Sequence, residues 1–196
     1  RETGSALVFL SFLLVFYRQG MTGYVLGWGV ASIVLFILVI RFGEVALPIG
    51  VGNVGSLVST LLIHATAIGV LIAKEKDFRS LVIISLGVLA CYGIGLLLNI
   101  WIQINFNYIG IASLALTAIY LLVQSIKNRK LSYGWIAGFV LFSAVLCQGC
   151  DYAFHNILQR HQRVRIEVLL GMKDDPHGAG YNVNQSLIAI GSGQFA

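Results

Sequence analysis

The side chains best able to do chemistry gather in one stretch, QRVRIEVLLGMKDDPHGAGYNVNQSLIAIGSG, Gln162 to Gly193. It holds Arg163, Arg165, Lys173, Asp174, Asp175, His177, Gln185 and Ser186, and closes on a glycine-flanked Ser192. A guanidinium is a planar fork of donors that matches phosphate oxygens, so the two arginines point to an anionic, phosphate-bearing partner. Ile157, Leu158, His161, Val164 and Val168 recur at spacings of three or four. A helix lying in the membrane interface would place these on one face and Arg160, Arg163 and Glu167 on another. The adjacent Asp174 and Asp175 could form an acid/base pair or hold a divalent cation. Neighbours in a turn rarely converge on one atom, however, and Asp175 before Pro176 also suits a loop that hydrogen-bonds its own backbone. Asn182 to Ile190 is a short apolar element, too short to span a bilayer, and Gly191-Ser192-Gly193 offers backbone N–H groups that could cradle an anion.

The elements that must position this stretch are membrane helices. Apolar residues make up 58% of the 196 and charged residues 11%, against roughly a quarter charged in a soluble domain; mean hydropathy is +0.86. Such a chain cannot cover a water-facing surface. The spacing of apolar runs predicts six spans: Ser5 to Tyr17, Tyr24 to Ile40, Val54 to Ala73, Ser80 to Ile102, Tyr108 to Ile126, and Tyr133 to Tyr152 with a continuation toward Leu158. In hydrocarbon the backbone must bond to itself, so these are helices. The expected fold is an all-α polytopic membrane protein, with a transmembrane region over 1–157 and a polar loop with interfacial helices over 158–196. The net charge of +5 reads as topology and lipid headgroups, with no nucleic acid partner.

Orientation follows from Lys and Arg, which favour the cytoplasmic side. One side carries Arg18, Lys74, Lys76, Arg79, Lys127, Arg129 and Lys130; the other carries Arg1, Arg41, Arg160, Arg163, Arg165 and Lys173. The compact clusters in the short links at 74–79 and 127–130 agree with each other, which places them inside and the tail outside. The inverted arrangement, with the tail arginines on inner-leaflet lipid, is the alternative. Both ends then fall outside. With Arg1 at the start and no signal peptide before it, the chain is expected to be a fragment.

Other motifs have plainer readings. Gly50-Val51-Gly52-Asn53-Val54-Gly55 matches GxGxxG but follows no strand, as a dinucleotide site requires; it reads as a flexible lead-in to a span, with small residues that permit close packing. Cys147-Gln148-Gly149-Cys150 lacks the second ligand pair of a structural zinc site and reads as helix packing. His64 is an ionisable residue within a span and so a functional candidate, or a partner of a neighbouring helix. Asn99 and Gln124 invite the same second reading. Gly23-x-x-x-Gly27 would mark a close helix contact.

The tail resembles a known family. Gln162-Arg163-x-Arg165, then Asp175-Pro176-x-Gly178-x-Gly180-Tyr181-Asn182-x-x-Gln185-Ser186-x-Ile188-Ala189-Ile190-Gly191-Ser192-Gly193, is similar to the SEDS family (shape, elongation, division and sporulation) over about thirty residues. Glu2-Thr3-Gly4-Ser5-Ala6-Leu7-Val8 resembles the end of that family's Q-P-D/E-x-G-T/S motif, with Arg1 where the family has proline. The family has two spans between these motifs and this chain has six, so four look inserted; an even insertion keeps the tail loop extracytoplasmic.

The resemblance implies a peptidoglycan glycosyltransferase of the bacterial cytoplasmic membrane. It would polymerise lipid II, an undecaprenyl diphosphate-linked disaccharide peptide, for cell elongation and rod shape beside a class B penicillin-binding protein. It also implies substrate- or loop-positioning roles for Arg163, Arg165, Asp175, Tyr181, Gln185, Ser186 and Ser192. The family's catalytic aspartate belongs to an E-x-x-T-D-F motif expected beyond Ala196, so the stretch given is expected to be inactive alone. The competing expectation is a non-enzymatic lipid II flippase or cell-shape scaffold.

Overall fold

The computed structural model describes residues 12, 15–20, 23–48, 51–173, 178, 181, 185, 188, 190 and 191. Five long helices dominate: α1 (Gly23–Gly43), α2 (Val54–Glu75), α3 (Phe78–Asn99), α4 (Phe106–Asn128) and α5 (Leu131–Tyr152). A π-helical turn, Ala153–Ile157, extends α5, and a shorter helix, α6 (Arg160–Leu169), follows. All five long helices are apolar and long enough to cross a bilayer. The chain is an all-α polytopic membrane protein. The expected first span, Ser5 to Tyr17, falls largely outside the described residues; 15–18 are helical. The last span does continue past Tyr152, through the π turn to Ile157.

Helix starts follow from the residues at their caps. Asn53 accepts from the Ser56 amide (2.8 Å), Asp77 from the Ser80 amide (3.1 Å) and Asn105 from the Asn107 amide (2.9 Å). Each satisfies an amide that the first helical turn leaves without a partner. The α2–α3 and α4–α5 links are two residues long. Lys76 and Arg129 close the preceding helices in the left-handed conformation, with φ of 51° and 52°. α3 ends at Asn99, earlier than the expected Ile102, and the Asn99 side chain accepts from the Ile104 amide (3.3 Å).

Helices α2, α4 and α5 form the middle of the bundle. α1 packs on α2 and α5, and α3 on α4 and, less, on α2. The core is Leu35 and Val39 of α1, Ile63, Ala67 and Leu71 of α2, Leu114, Ala118 and Leu121 of α4, and Ile136, Ala137 and Val140 of α5. Trp28 of α1 meets Phe139 and Phe142 of α5 at centroid distances of 5.7 and 5.6 Å. Small hydroxyl residues complete the interior. Ser59, Thr60, Ser113, Thr117 and Ser143 are buried; Ser59, Ser113 and Thr117 return their hydroxyls to carbonyls of their own helices, which lets backbones approach without leaving a donor unsatisfied.

The links at the α6 end are laced together. Ala46 bridges Asn53 and Val51 bridges Asn105. The Asn107 carboxamide oxygen accepts from the Asn53 amide (3.3 Å) and from the Ser56 hydroxyl. The glycine-rich lead-in therefore serves packing, as its sequence context indicated. A Cβ on Gly55 would lie 2.9 Å from the Gly43 nitrogen and 3.0 Å from the Leu38 carbonyl oxygen, both backbone atoms of α1. Among the described residues a Cβ on Gly27 would meet nothing within 4 Å, so the contact expected at Gly23-x-x-x-Gly27 is not made there by any of them. The close crossing of α1 is made by its other end, because α2 begins against Leu38 to Gly43.

Gly55→Ala is expected to force α1 and α2 apart and to destabilise the bundle by about 1–3 kcal/mol, the usual cost of overpacking. Gly27→Ala should leave it unchanged. Thermal unfolding of both variants in one detergent compares them directly.

Candidate functional site

The two tail arginines do different things. Arg163 turns back onto the bundle. Its Nε donates to the Phe154 carbonyl (3.1 Å), one Nη donates to the His155 carbonyl, and the guanidinium lies 5.5 Å from the Phe154 ring centroid. The carbonyls it meets belong to the π turn. A π turn shifts the hydrogen-bond register and recurs at functional positions; here it frees the acceptors that Arg163 takes. Arg163 thus fixes the angle at which α6 leaves α5. Arg160 and Arg165 are exposed, and no ion pair involves either among the described residues. Gln159 and Gln162 close a reciprocal capping box at the start of α6. The helix has no buried residue; Val164 and Val168 are half-buried, while His161 is exposed. His161 therefore departs from the apolar face expected for it.

Of the other expected site residues, Tyr181 and Gln185 are helical and exposed. Asp175, Ser186 and Ser192, with Asp174 and His177, lie outside the described residues. Among the described residues no group of three or more His, Cys, Asp or Glu stands close enough to hold a metal ion.

At the end of the bundle from which α6 leaves, a cleft of about 460 Å³ opens between α1, α2, α4 and α5. Its polar lining is Asn53, Ser56, Ser59, Thr60, Asn107, Gln148 and Asp151; Val39, Ile63 and Leu114 make up part of its apolar wall. It can take a ligand with an apolar body and hydroxyl or amide groups at one end. Cys147 also faces it. All three cysteines are free thiols. The cleft was not legible in the sequence, because its polar lining is drawn from residues 53 to 60, 107 and 148 to 151, which meet only in the fold.

The opposite end carries a second polar cluster. Lys130 pairs with Glu75 (2.5 Å), and Ser132 donates to the same carboxylate. Asp77 accepts from the Ser80 hydroxyl (2.6 Å) and the Tyr133 hydroxyl (2.8 Å). Ser80 in turn meets the Tyr120 hydroxyl (2.9 Å), which accepts from Gln124 (3.1 Å). The hydrogen bond from Ser80 holds the Asp77 carboxyl below its ordinary value of 3.8, and that from Tyr133 adds to it.

No known family, curated protein or solved structure matches the chain.

Arg163→Ala should release α6 while the spans stay folded. Amide exchange at 153–169 is expected to quicken, by the loss of about 1.5–3 kcal/mol for hydrogen bonds to a charged group, and Arg163→Lys should recover little. Asp77 contributes stability above the ordinary aspartate range that disappears as pH falls through its lowered folded value. Asp77→Asn should therefore melt earlier than the parent at about pH 7, and that difference should shrink progressively as pH falls below the ordinary aspartate range, by thermal scans in detergent.

Proposed function

We infer that this chain is part of a peptidoglycan glycosyltransferase of the SEDS type, most similar to its rod-shape-determining members, and that it acts on lipid II at the outer face of the bacterial cytoplasmic membrane. The residue pattern over 162–193 carries this reading. What supports it in the fold is that α6, with exposed Arg160 and Arg165, comes just after the last helix long and apolar enough to span, so those arginines would lie near the headgroups, where a lipid-linked diphosphate is expected. Arg165 is the residue assigned to the phosphate. Arg163 is a positioning residue, because its donors already hold the π turn. The aspartate that would deprotonate the attacking sugar hydroxyl is assigned to the acidic motif C-terminal to the glycine turn. A class B penicillin-binding protein would be the partner that crosslinks the product.

The full-length protein, purified and supplied with lipid II, should produce glycan strands. Arg165→Ala should lower the rate about tenfold or more, the loss of one charge-assisted hydrogen bond. Movement of lipid II between leaflets without strand growth would overturn the polymerase reading in favour of a flippase. For sidedness, Lys173→Cys in a background without the three native cysteines should react with an impermeant thiol reagent on intact cells. Arg129→Cys should react only after permeabilisation; the reverse pattern inverts the orientation.

A further inference from the structure

The cleft between α1, α2, α4 and α5 is polar at one end and apolar at the other. Asn53 and Asn107 stand at the starts of α2 and α4, and Gln148 and Asp151 in the last turn of α5, so these groups lie near the membrane surface. Ile63 and Leu114 wall the deeper part; about 15 Å of helix separates Ile63 from Asn53, at about 1.5 Å per residue. At the rim, Ile111 of α4 and Val145 and Tyr152 of α5 are exposed, on helices long and apolar enough to span. The cleft is therefore open to lipid along α4 and α5. An amphiphile can enter it sideways from the bilayer, with its head at the surface and its chain directed inward.

The polar end has hydrogen-bonding capacity to spare. The Asn107 carboxamide oxygen accepts from the Asn53 amide (3.3 Å) and from the Ser56 hydroxyl, and the Asn53 carboxamide oxygen accepts from the Ser56 amide (2.8 Å). Both oxygens are thereby committed, and neither NH2 group donates to a described residue. Gln148 is exposed and makes no hydrogen bond to a described residue, so it offers a donor and an acceptor together. The Asp151 carboxylate lies 3.5 Å from the His155 Nδ1 and is still half-exposed. An amide NH2 gives to a hydroxyl oxygen and a carboxylate takes a hydroxyl hydrogen, so the set matches a head with several hydroxyls, each of which both donates and accepts. Charge narrows the choice further. Among the described residues that line the cleft, Asp151 is the single carboxylate and there is no Lys or Arg. A phosphate head would be set against that carboxylate with no lining cation to pair it, a repulsion that strengthens away from water.

We propose that the cleft is a lateral binding site for a membrane lipid with an uncharged sugar headgroup. The sugar hydroxyls meet Asn53, Asn107, Gln148 and Asp151, and one acyl chain lies against Ile63 and Leu114. The volume of about 460 Å³ falls within the range of about 300–1,000 Å³ usual for small-ligand sites. It suits the sugar with the first part of one chain, and the rest of the lipid stays in the bilayer. The diphosphate-linked substrate assigned above would bring its phosphates against Asp151, so this is a second site. It uses no residue of the tail and stands whether or not the glycan-polymerase reading does.

The test uses the full-length protein in phosphatidylcholine nanodiscs, with no lipid II present. The probe is a monoglucosyl diacylglycerol carrying a diazirine on one acyl chain, and its light-induced cross-links are located by mass spectrometry of peptides. Cross-links are expected at Ile63, Leu114 and their neighbours. Unlabelled glucosyl lipid should compete them away. Phosphatidylglycerol, which carries its hydroxyls on a phosphate, should not. Gln148→Leu, at an exposed position, should lower the labelling about fivefold, the loss of one neutral hydrogen bond. Ala144→Phe, which fills the cleft, should abolish it, and Asp151→Lys should let phosphatidylglycerol compete. The Gln148 variant carries the test if Ala144→Phe fails to fold. Labelling spread over the lipid-facing helices and unchanged in Gln148→Leu, or equal competition by phosphatidylglycerol and the glucosyl lipid in the parent, overturns the proposal.

Discussion

Inside hydrocarbon, a backbone amide or carbonyl without an internal partner has no water to turn to. The helix ends of this bundle are built around that constraint. Asn53, Asp77 and Asn105 spend their side chains on amides at the start of α2, α3 and α4. Arg163, which by type is suited to an anion, is turned onto the Phe154 and His155 carbonyls that the π turn exposes. The apparent excess of polar residues in the links is thus mostly structural, and Arg160 and Arg165 are distinguished by having no such duty among the described residues.

The same constraint shapes the interior. Lipid tails are as apolar as leucine, so helices associate through close approach and hydrogen bonding more than through the hydrophobic effect. Gly55 allows α2 to touch the backbone of α1, and Gly110 lets α4 pack close against Thr60 of α2. Buried hydroxyls on α2, α4 and α5 replace larger apolar groups. A polar, close-packed middle is the outcome. It is also the setting in which an imidazole such as that of His64 can be held with both ring nitrogens engaged.

The spans were legible because their apolar runs are long and their ends are charged or capped; α2, α4 and α5 fall within a few residues of expectation. α3 stops early at Asn99, since a link residue there turns its side chain to the Ile104 amide, which hydropathy cannot register. Gly27 meets no described residue, because small-residue spacing says that a contact is allowed, and not which helix lies opposite. Arg163 and Arg165 looked equivalent because spacing gives a face and no direction. Asn107 was passed over for a different reason. Its role depends on Asn53 and Ser56, more than fifty residues earlier, and becomes visible once the links meet. The proposed function rests on a pattern of residues in the tail, most of which lie outside the described residues.

The two tight links on the far face have a consequence for evolution and design. Lys76 and Arg129 both sit in the left-handed region, where an L side chain costs about 1–2 kcal/mol and glycine is at ease. A chain with 22 glycines nonetheless has a cation at each. Conformational comfort and charge pull in opposite directions at these positions, because Lys and Arg in short links bias the way a membrane protein is threaded, and here they sit on the residues that make the turns. Substituting glycine to harden the protein would weaken the signal by which it is threaded into the bilayer.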